Sequence, residues 1–151
     1  MIYCSRTINE AMKMCNYNII IEENCGSSII DLNKVYRSES MHEMEVNADL
    51  LGVDLCNPYV LLFLAEQTAY HHAFWPHTKK RFTAFKNILR RNRLVRKSLE
   101  DMKFYALISG KLDEMIKYKD NPLYGTPGRM QELKNVKQVV EIVEKAIANG
   151  R

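Results

Sequence analysis

"NPYVLLFLAEQTAYHHAFWP", residues 57–76, is the stretch of this 151-residue chain that constrains its architecture most strongly. Asn57 is a good helix cap, Pro58 suits the first position of a helix, and Pro76 ends a helix before it. The first half of the segment is apolar on every side, whereas a surface helix is apolar along one stripe only. The sequence therefore predicts a buried helix at the centre of the core, with the rest of the chain packed around it.

Length and composition are those of an ordinary globular protein. The hydrophobic fraction is 46% and the charged fraction is 26%. A chain of this length suits one domain and can bury roughly two thirds of its unfolded surface. We therefore predict a single domain over residues 1–151, with a small sheet region at 1–40 and a helical region at 41–151.

The first 40 residues have the pattern of a small βαββ unit. "MIYCS" predicts a short strand, and "RTINEAMKMC" predicts a helix opened by a capping box of Thr7 and Glu10. "YNIIIEE" follows as a second strand because it is rich in β-branched residues. "SIIDLNKVY" pairs with it as a hairpin across the turn "NCGS", and a helix beginning at Ser27 or Ser28 is the competing prediction.

Beyond residue 40 the pattern becomes helical. "HEMEVNADLLG" predicts a helix that ends near Gly52, and Thr78 can cap the helix that follows Pro76. The last helix begins after Thr126 and runs to about Asn149. We therefore predict an α+β fold that is mostly α-helical, with the small N-terminal βαββ unit packed against about five helices.

The last helix carries a narrow apolar seam of heptad-like spacing, which makes it a candidate interface. Its positions follow one another at intervals of 3, 4, 3 and 4 residues: Leu133, Val136, Val140, Val143 and Ile147. The seam spans about two heptads, which is short for a coiled coil. The pattern favours packing on the protein's own helices over a homodimer through this C-terminal helix, and both alternatives stay open.

Residues 79–97, "KKRFTAFKNILRRNRLVRK", hold nine lysines and arginines and no acid. The net charge of the chain is +4, but the remaining 13 basic residues are outnumbered by 18 acidic ones. The protein is thus a mildly acidic body with one strongly basic segment. Such segregation of charge carries information about binding partners, not about the fold.

On a single helix, the basic segment would separate an apolar side from a row of cations. Phe82, Phe85, Ile88 and Leu89 fall on one side, and five cations share the adjoining side: Lys79, Lys86, Arg90, Arg93 and Lys97. Like charges three or four residues apart repel, and no acid within the helix offsets that cost. The pattern therefore predicts a polyanionic partner, the phosphate backbone of RNA or DNA, with an acidic protein surface as the alternative.

The basic segment lacks a recognised reader motif, so the sequence predicts no sequence-specific readout. The alternative is a protein–protein interaction module, either a viral or accessory factor or a subunit of a large assembly, in which the same cations bind an acidic protein surface. A small nucleotide-binding protein or enzyme is a third hypothesis, with Arg6 and Thr7 as a secondary anion site at the predicted strand-to-helix junction. A capped helix start explains those residues equally well, so a non-enzymatic protein is favoured.

The segment "AYHHAFWPH" gathers three histidines, but its geometry argues against a metal site. His71 and His72 are adjacent, so on a helix they point about 100° apart and cannot easily share one ion. The dipole at a helix C-terminus favours protonated histidine, which accounts for both residues without a function. We predict no metal and no cofactor.

The cellular compartment follows from what the sequence lacks. Cys4, Cys15, Cys25 and Cys56 form no CxxC pair, which is typical of reduced thiols. The longest apolar run, "YVLLFLA", is far short of the roughly 20 residues of a membrane helix. The N-terminus has no basic leader followed by a long apolar core. We therefore predict a cytoplasmic protein, of a cell or of an infected host, without a membrane contact.

Overall fold

The computed structural model describes residues 19–101, 103–117 and 127–149, and within these residues every regular element is a helix. The elements are α1 (residues 19–25), α2 (Ile29–Tyr36), α3 (Met41–Leu51), α4 (Pro58–Phe74), a 3₁₀ turn (Pro76–Thr78), α5 (Lys79–Arg91), α6 (Arg93–Asp101), α7 (Lys103–Lys117) and α8 (Pro127–Asn149). No strand occurs in this part of the chain, so the predicted α+β class is wrong.

Two of the three predicted strands are helical instead. Residues 19–23, read as a strand, lie in α1, and residues 29–36 form α2. The Ser28 hydroxyl accepts a hydrogen bond from the Asp31 N–H at 3.2 Å, and the Glu22 carboxylate accepts from the Ile29 N–H at 2.9 Å. Two donors at the start of α2 are thereby satisfied, so the competing prediction of a helix from Ser28 is correct.

Burial of one helix face explains why residues 29–36 form a helix and not a strand. Leu32, Val35 and Tyr36 are almost fully buried, at the three-to-four-residue spacing of one helix face. Tertiary packing of that face outweighs the weak preference of isoleucine and valine for strands. The predicted first strand and first helix, at residues 1–15, lie outside the described residues, as do Arg6 and Thr7.

The prediction of a central helix is confirmed by α4. Asn57 caps it, because its side-chain oxygen accepts from the Tyr59 N–H at 2.8 Å, and Pro58 occupies the first turn. Every side chain from Val60 to Ala65 is buried. Helix α4 packs against α2, α5, α7 and α8. The end of α3 is also as predicted, with Gly52 in the left-handed conformation at φ 67°.

Helix α8 lays its apolar seam against the other helices of the same chain, chiefly α4 and α7. Val136, Val140 and Val143 are buried, and Leu133 and Ile147 are half-buried against the core. The seam is therefore in contact with the protein's own helices. A homodimer through this helix stays a prediction.

None of the helices in the described ranges has both the length and the apolar character needed to cross a membrane.

Candidate polyanion-binding surface

The basic segment is not one helix, as the sequence predicted, but two. Helix α5 ends at Arg91 and α6 begins at Arg93, because Asn92 between them has an extended backbone with φ −78° and ψ 111°. Three of the five predicted binding residues, Lys79, Lys86 and Arg90, belong to α5. The other two, Arg93 and Lys97, belong to α6.

Asn92 holds this break in place through both its backbone and its side chain. Its backbone N–H closes α5 on the Ile88 carbonyl at 3.1 Å, and its side-chain oxygen accepts from the Val95 N–H at 3.1 Å. Its side-chain amide donates to the Glu45 carboxylate of α3 at 2.8 Å. One residue thus ends α5, caps α6 and ties the junction to a third helix.

The apolar side of α5 is packed as predicted. Phe82, Phe85, Ile88 and Leu89 are all buried. On the outer side Lys79 and Arg90 are exposed and Lys86 is half-buried. Lys80 and Arg91 are exposed as well and widen the positive surface.

Helix α6 repeats this arrangement on a smaller scale. Val95 and Leu99 are fully buried, and Arg93 and Lys97 are exposed on the opposite side of the helix. We use the name cationic face for five outward cations, Lys79, Lys86 and Arg90 of α5 and Arg93 and Lys97 of α6. Among the described residues, no carboxylate oxygen lies within 4.0 Å of the charged atoms of these five side chains. Glu45, which reaches the break, binds the neutral amide of Asn92 instead.

Lys86 shows that the charges on α5 lie close together. Partial burial lowers the pKa of its ammonium group, and the neighbouring Arg90 and Lys79 lower it further. Its Nζ atom lies 5.1 Å from the centre of the Phe82 ring, a cation–π contact. The cationic face therefore holds like charges that repel one another.

His72 lies against the inner edge of the cationic face. Its ring stacks on Phe82 with the centroids 5.0 Å apart, and its Nδ1 atom is buried with no hydrogen-bond partner among the described residues. Burial lowers the pKa of this imidazole, and Lys86 and Lys79 lower it further. The dipole of α4 was expected to favour the protonated ring, and that expectation is wrong because burial and nearby cations outweigh it.

A second cluster, which the sequence did not reveal, surrounds the other histidine. The His71 ring lies 5.1 Å from the ring of Tyr36 and 5.3 Å from that of Trp75, and Tyr70 lies 5.9 Å from Trp75. The Arg81 guanidinium sits 5.5 Å from the centre of the Tyr36 ring. Burial lowers the pKa of His71, with further contributions from Arg81 and Arg37, which therefore belong to the same neighbourhood.

The described residues contain no group of three or more His, Cys, Asp and Glu side chains that would hold a metal ion. Cys25 and Cys56 are free, half-buried thiols. Burial raises the pKa of the Cys56 thiol and the nearby Asp54 carboxylate adds to the effect, so this cysteine has little thiolate character.

Comparisons of the chain with protein-family models, with curated proteins and with solved structures find no match. Its function must therefore be inferred from the chemistry of its own surfaces.

Proposed function

We propose that this protein is a small non-enzymatic binding protein whose cationic face contacts the phosphates of a nucleic acid. The observation that carries the proposal is that the described residues provide no carboxylate to compensate the charge of that face. Four of its five cations are exposed, the fifth is half-buried, and no carboxylate of the described residues pairs with any of them. We place this activity in the cytoplasm, of a cell or of an infected host.

A phosphate backbone suits this surface for two physical reasons. Phosphates bound beside Lys79, Lys86 and Arg90 would relieve the mutual repulsion that lowers the pKa of Lys86. Each neutralised phosphate also releases condensed counterions, and arginine side chains such as Arg90 and Arg93 can bind phosphate oxygens in pairs. These contacts recognise the backbone and not the bases, which agrees with the absence of a reader motif in the sequence.

Charge reversal on the two sides of the break tests this proposal. We expect wild-type protein to bind a fluorescently labelled single-stranded oligonucleotide, with log Kd rising by about 3 to 4 per tenfold increase in salt, because about five contacts are broken. In Arg90→Glu/Arg93→Glu binding should fall below detection, with helical circular dichroism unchanged. The matched control, Lys134→Glu/Lys137→Glu, changes the net charge equally at two exposed positions of α8 and should bind as wild type.

Equal binding by both double variants would reject the cationic face as the nucleic-acid site. An acidic protein surface is the second candidate partner, favoured by Leu94, which is 67% exposed beside Arg93. Apolar side chains add to protein–protein contacts but little to phosphate binding. A protein partner retained after nuclease treatment, and lost in Leu94→Ser, would establish this alternative, provided that the same variant still binds the oligonucleotide.

A further inference from the structure

Trp75, the single tryptophan of the chain, is an exposed aromatic residue. It is 45% exposed and follows directly after α4. The backbone N–H of Trp75 donates to the His71 carbonyl at 2.7 Å. The backbone carbonyl of Trp75 accepts from the Thr78 N–H at 3.0 Å and from the Thr78 hydroxyl at 2.8 Å. The rings of His71 and Tyr70 lie beside the indole, at 5.3 and 5.9 Å. The backbone hydrogen bonds and the neighbouring rings therefore hold Trp75 in place, while 45% of the surface of the residue stays exposed.

Positive side chains lie on both sides of this end of α4. On the His71 side, Arg81 is placed over the Tyr36 ring, which in turn contacts the His71 ring. On the His72 side, Phe82 contacts both the His72 ring and the Lys86 ammonium group. Because adjacent residues of a helix point about 100° apart, the two groups occupy different sides of the same helix end. Trp75 follows that end and precedes Lys79 by four residues.

We propose that Trp75 is a stacking platform for an unpaired base and that the ligand of the cationic face is single-stranded nucleic acid. This inference rests on the proposed function, which it makes more specific. An indole face stacks on any base, because every base has a π surface, and adjacent cations bind the flanking phosphates. A duplex keeps its bases stacked on one another and offers no free face to the indole. Trp75 would therefore discriminate against paired strands.

The fluorescence of Trp75 reports on this contact directly, because no other tryptophan is present in the chain. We expect a single-stranded oligonucleotide to quench the tryptophan emission on binding. An abasic strand with the same number of phosphates should bind more weakly and leave the emission almost unchanged. A duplex of the same length should also fail to quench it. Equal quenching by the abasic strand would overturn the stacking assignment.

Substitution of Trp75 separates this inference from the proposed function. We expect Trp75→Ala to weaken binding of the labelled single strand by about 5-fold or more, and Trp75→Phe to weaken it less because a smaller ring still stacks. Both variants should bind the abasic strand as wild type does. If Trp75→Ala binds single strands as wild type while Arg90→Glu/Arg93→Glu does not, stacking is refuted and the phosphate contact stands. If wild type binds neither strand, both proposals fail.

Discussion

His71 and His72 are neighbours in the sequence, yet each imidazole lies among different cations. Arg81 and Arg37 act on His71, and Lys86 and Lys79 act on His72. In both cases burial is the larger cause of the lowered pKa, and the positive charges add to it. The folded protein therefore keeps both rings neutral at a pH where the unfolded chain would already protonate them.

This difference predicts that stability falls on mild acidification. The ordinary histidine pKa is 6.5, and both folded values lie below it. At a pH between the folded and the unfolded pKa of each histidine, the unfolded state binds more protons than the folded state. The free energy of unfolding therefore increases as the pH rises and decreases as the pH falls. We expect the urea concentration at the midpoint of denaturation to be lower at about pH 5.5 than at about pH 7.5. Carboxylates stay ionised over this range. His71→Gln/His72→Gln should lose most of this pH dependence, and a slope as steep as that of wild type would contradict the assignment.

Among the secondary-structure elements, the junction of α5 and α6 matters most for the candidate site. A continuous helix would place all five cations in one row, whereas the structure distributes them over two helices that meet at Asn92. The asparagine satisfies the start of α6 and binds Glu45, so it contributes to both the local geometry and the tertiary contact with α3. The shape of the cationic face thus depends on one uncharged side chain.

Replacement of Asn92 by alanine should remove the cap of α6 and the hydrogen bond to Glu45 together. We expect Asn92→Ala to lower the free energy of unfolding by about 1–2 kcal/mol, measured by urea denaturation with an unchanged m-value. Asn87→Ala is the matched control, because Asn87 lies within α5 and makes no side-chain hydrogen bond among the described residues. Alanine favours a helix interior, so the control should be neutral or slightly more stable. Equal loss in both variants would show that Asn92 is not a structural junction.

For the molecule as a whole, α4 is the element on which the other helices pack. Leu64 on this helix is fully buried, and α8 makes its most extensive packing contact with α4. A polar contact crosses the same interface, because the Asn135 amide of α8 donates to the Ala69 carbonyl of α4 at 3.2 Å. The core therefore joins the beginning and the end of the described chain through one central helix.

Truncation within that core should be costly. We expect Leu64→Ala to lower the free energy of unfolding by about 2–5 kcal/mol, since it opens a cavity at the centre of the fold. Leu50→Ala removes the same atoms from a side chain that is 76% exposed, and the cost there should stay below about 0.5 kcal/mol. Chemical denaturation of both variants under one set of conditions makes the comparison, and similar losses at the two positions would argue against a core centred on α4.

Local signals were sufficient for several features of this protein. A helix start is indicated by Asn57 with Pro58, a helix stop by Gly52, and a buried helix by the run of apolar residues in α4. These three features could therefore be predicted from neighbours along the chain. The inward side of α5 was predictable for the same reason, because Phe82, Phe85, Ile88 and Leu89 have helical spacing. The concentration of positive charge in residues 79–97 was equally evident from the sequence alone.

Other features required contacts between residues distant in the chain. The helical state of residues 29–36 depends on burial of one face, the break at Asn92 is tied to a carboxylate 47 positions away, and the cluster at Trp75 brings Tyr36 beside His71. Propensity differences of a few tenths of a kcal/mol per residue cannot oppose packing that contributes several kcal/mol. Patterns along the sequence therefore established which segments carry charge and which are buried. Packing determined how those segments bend and which side chains meet. Bends and side-chain contacts depend on free energies that arise only when the chain is folded.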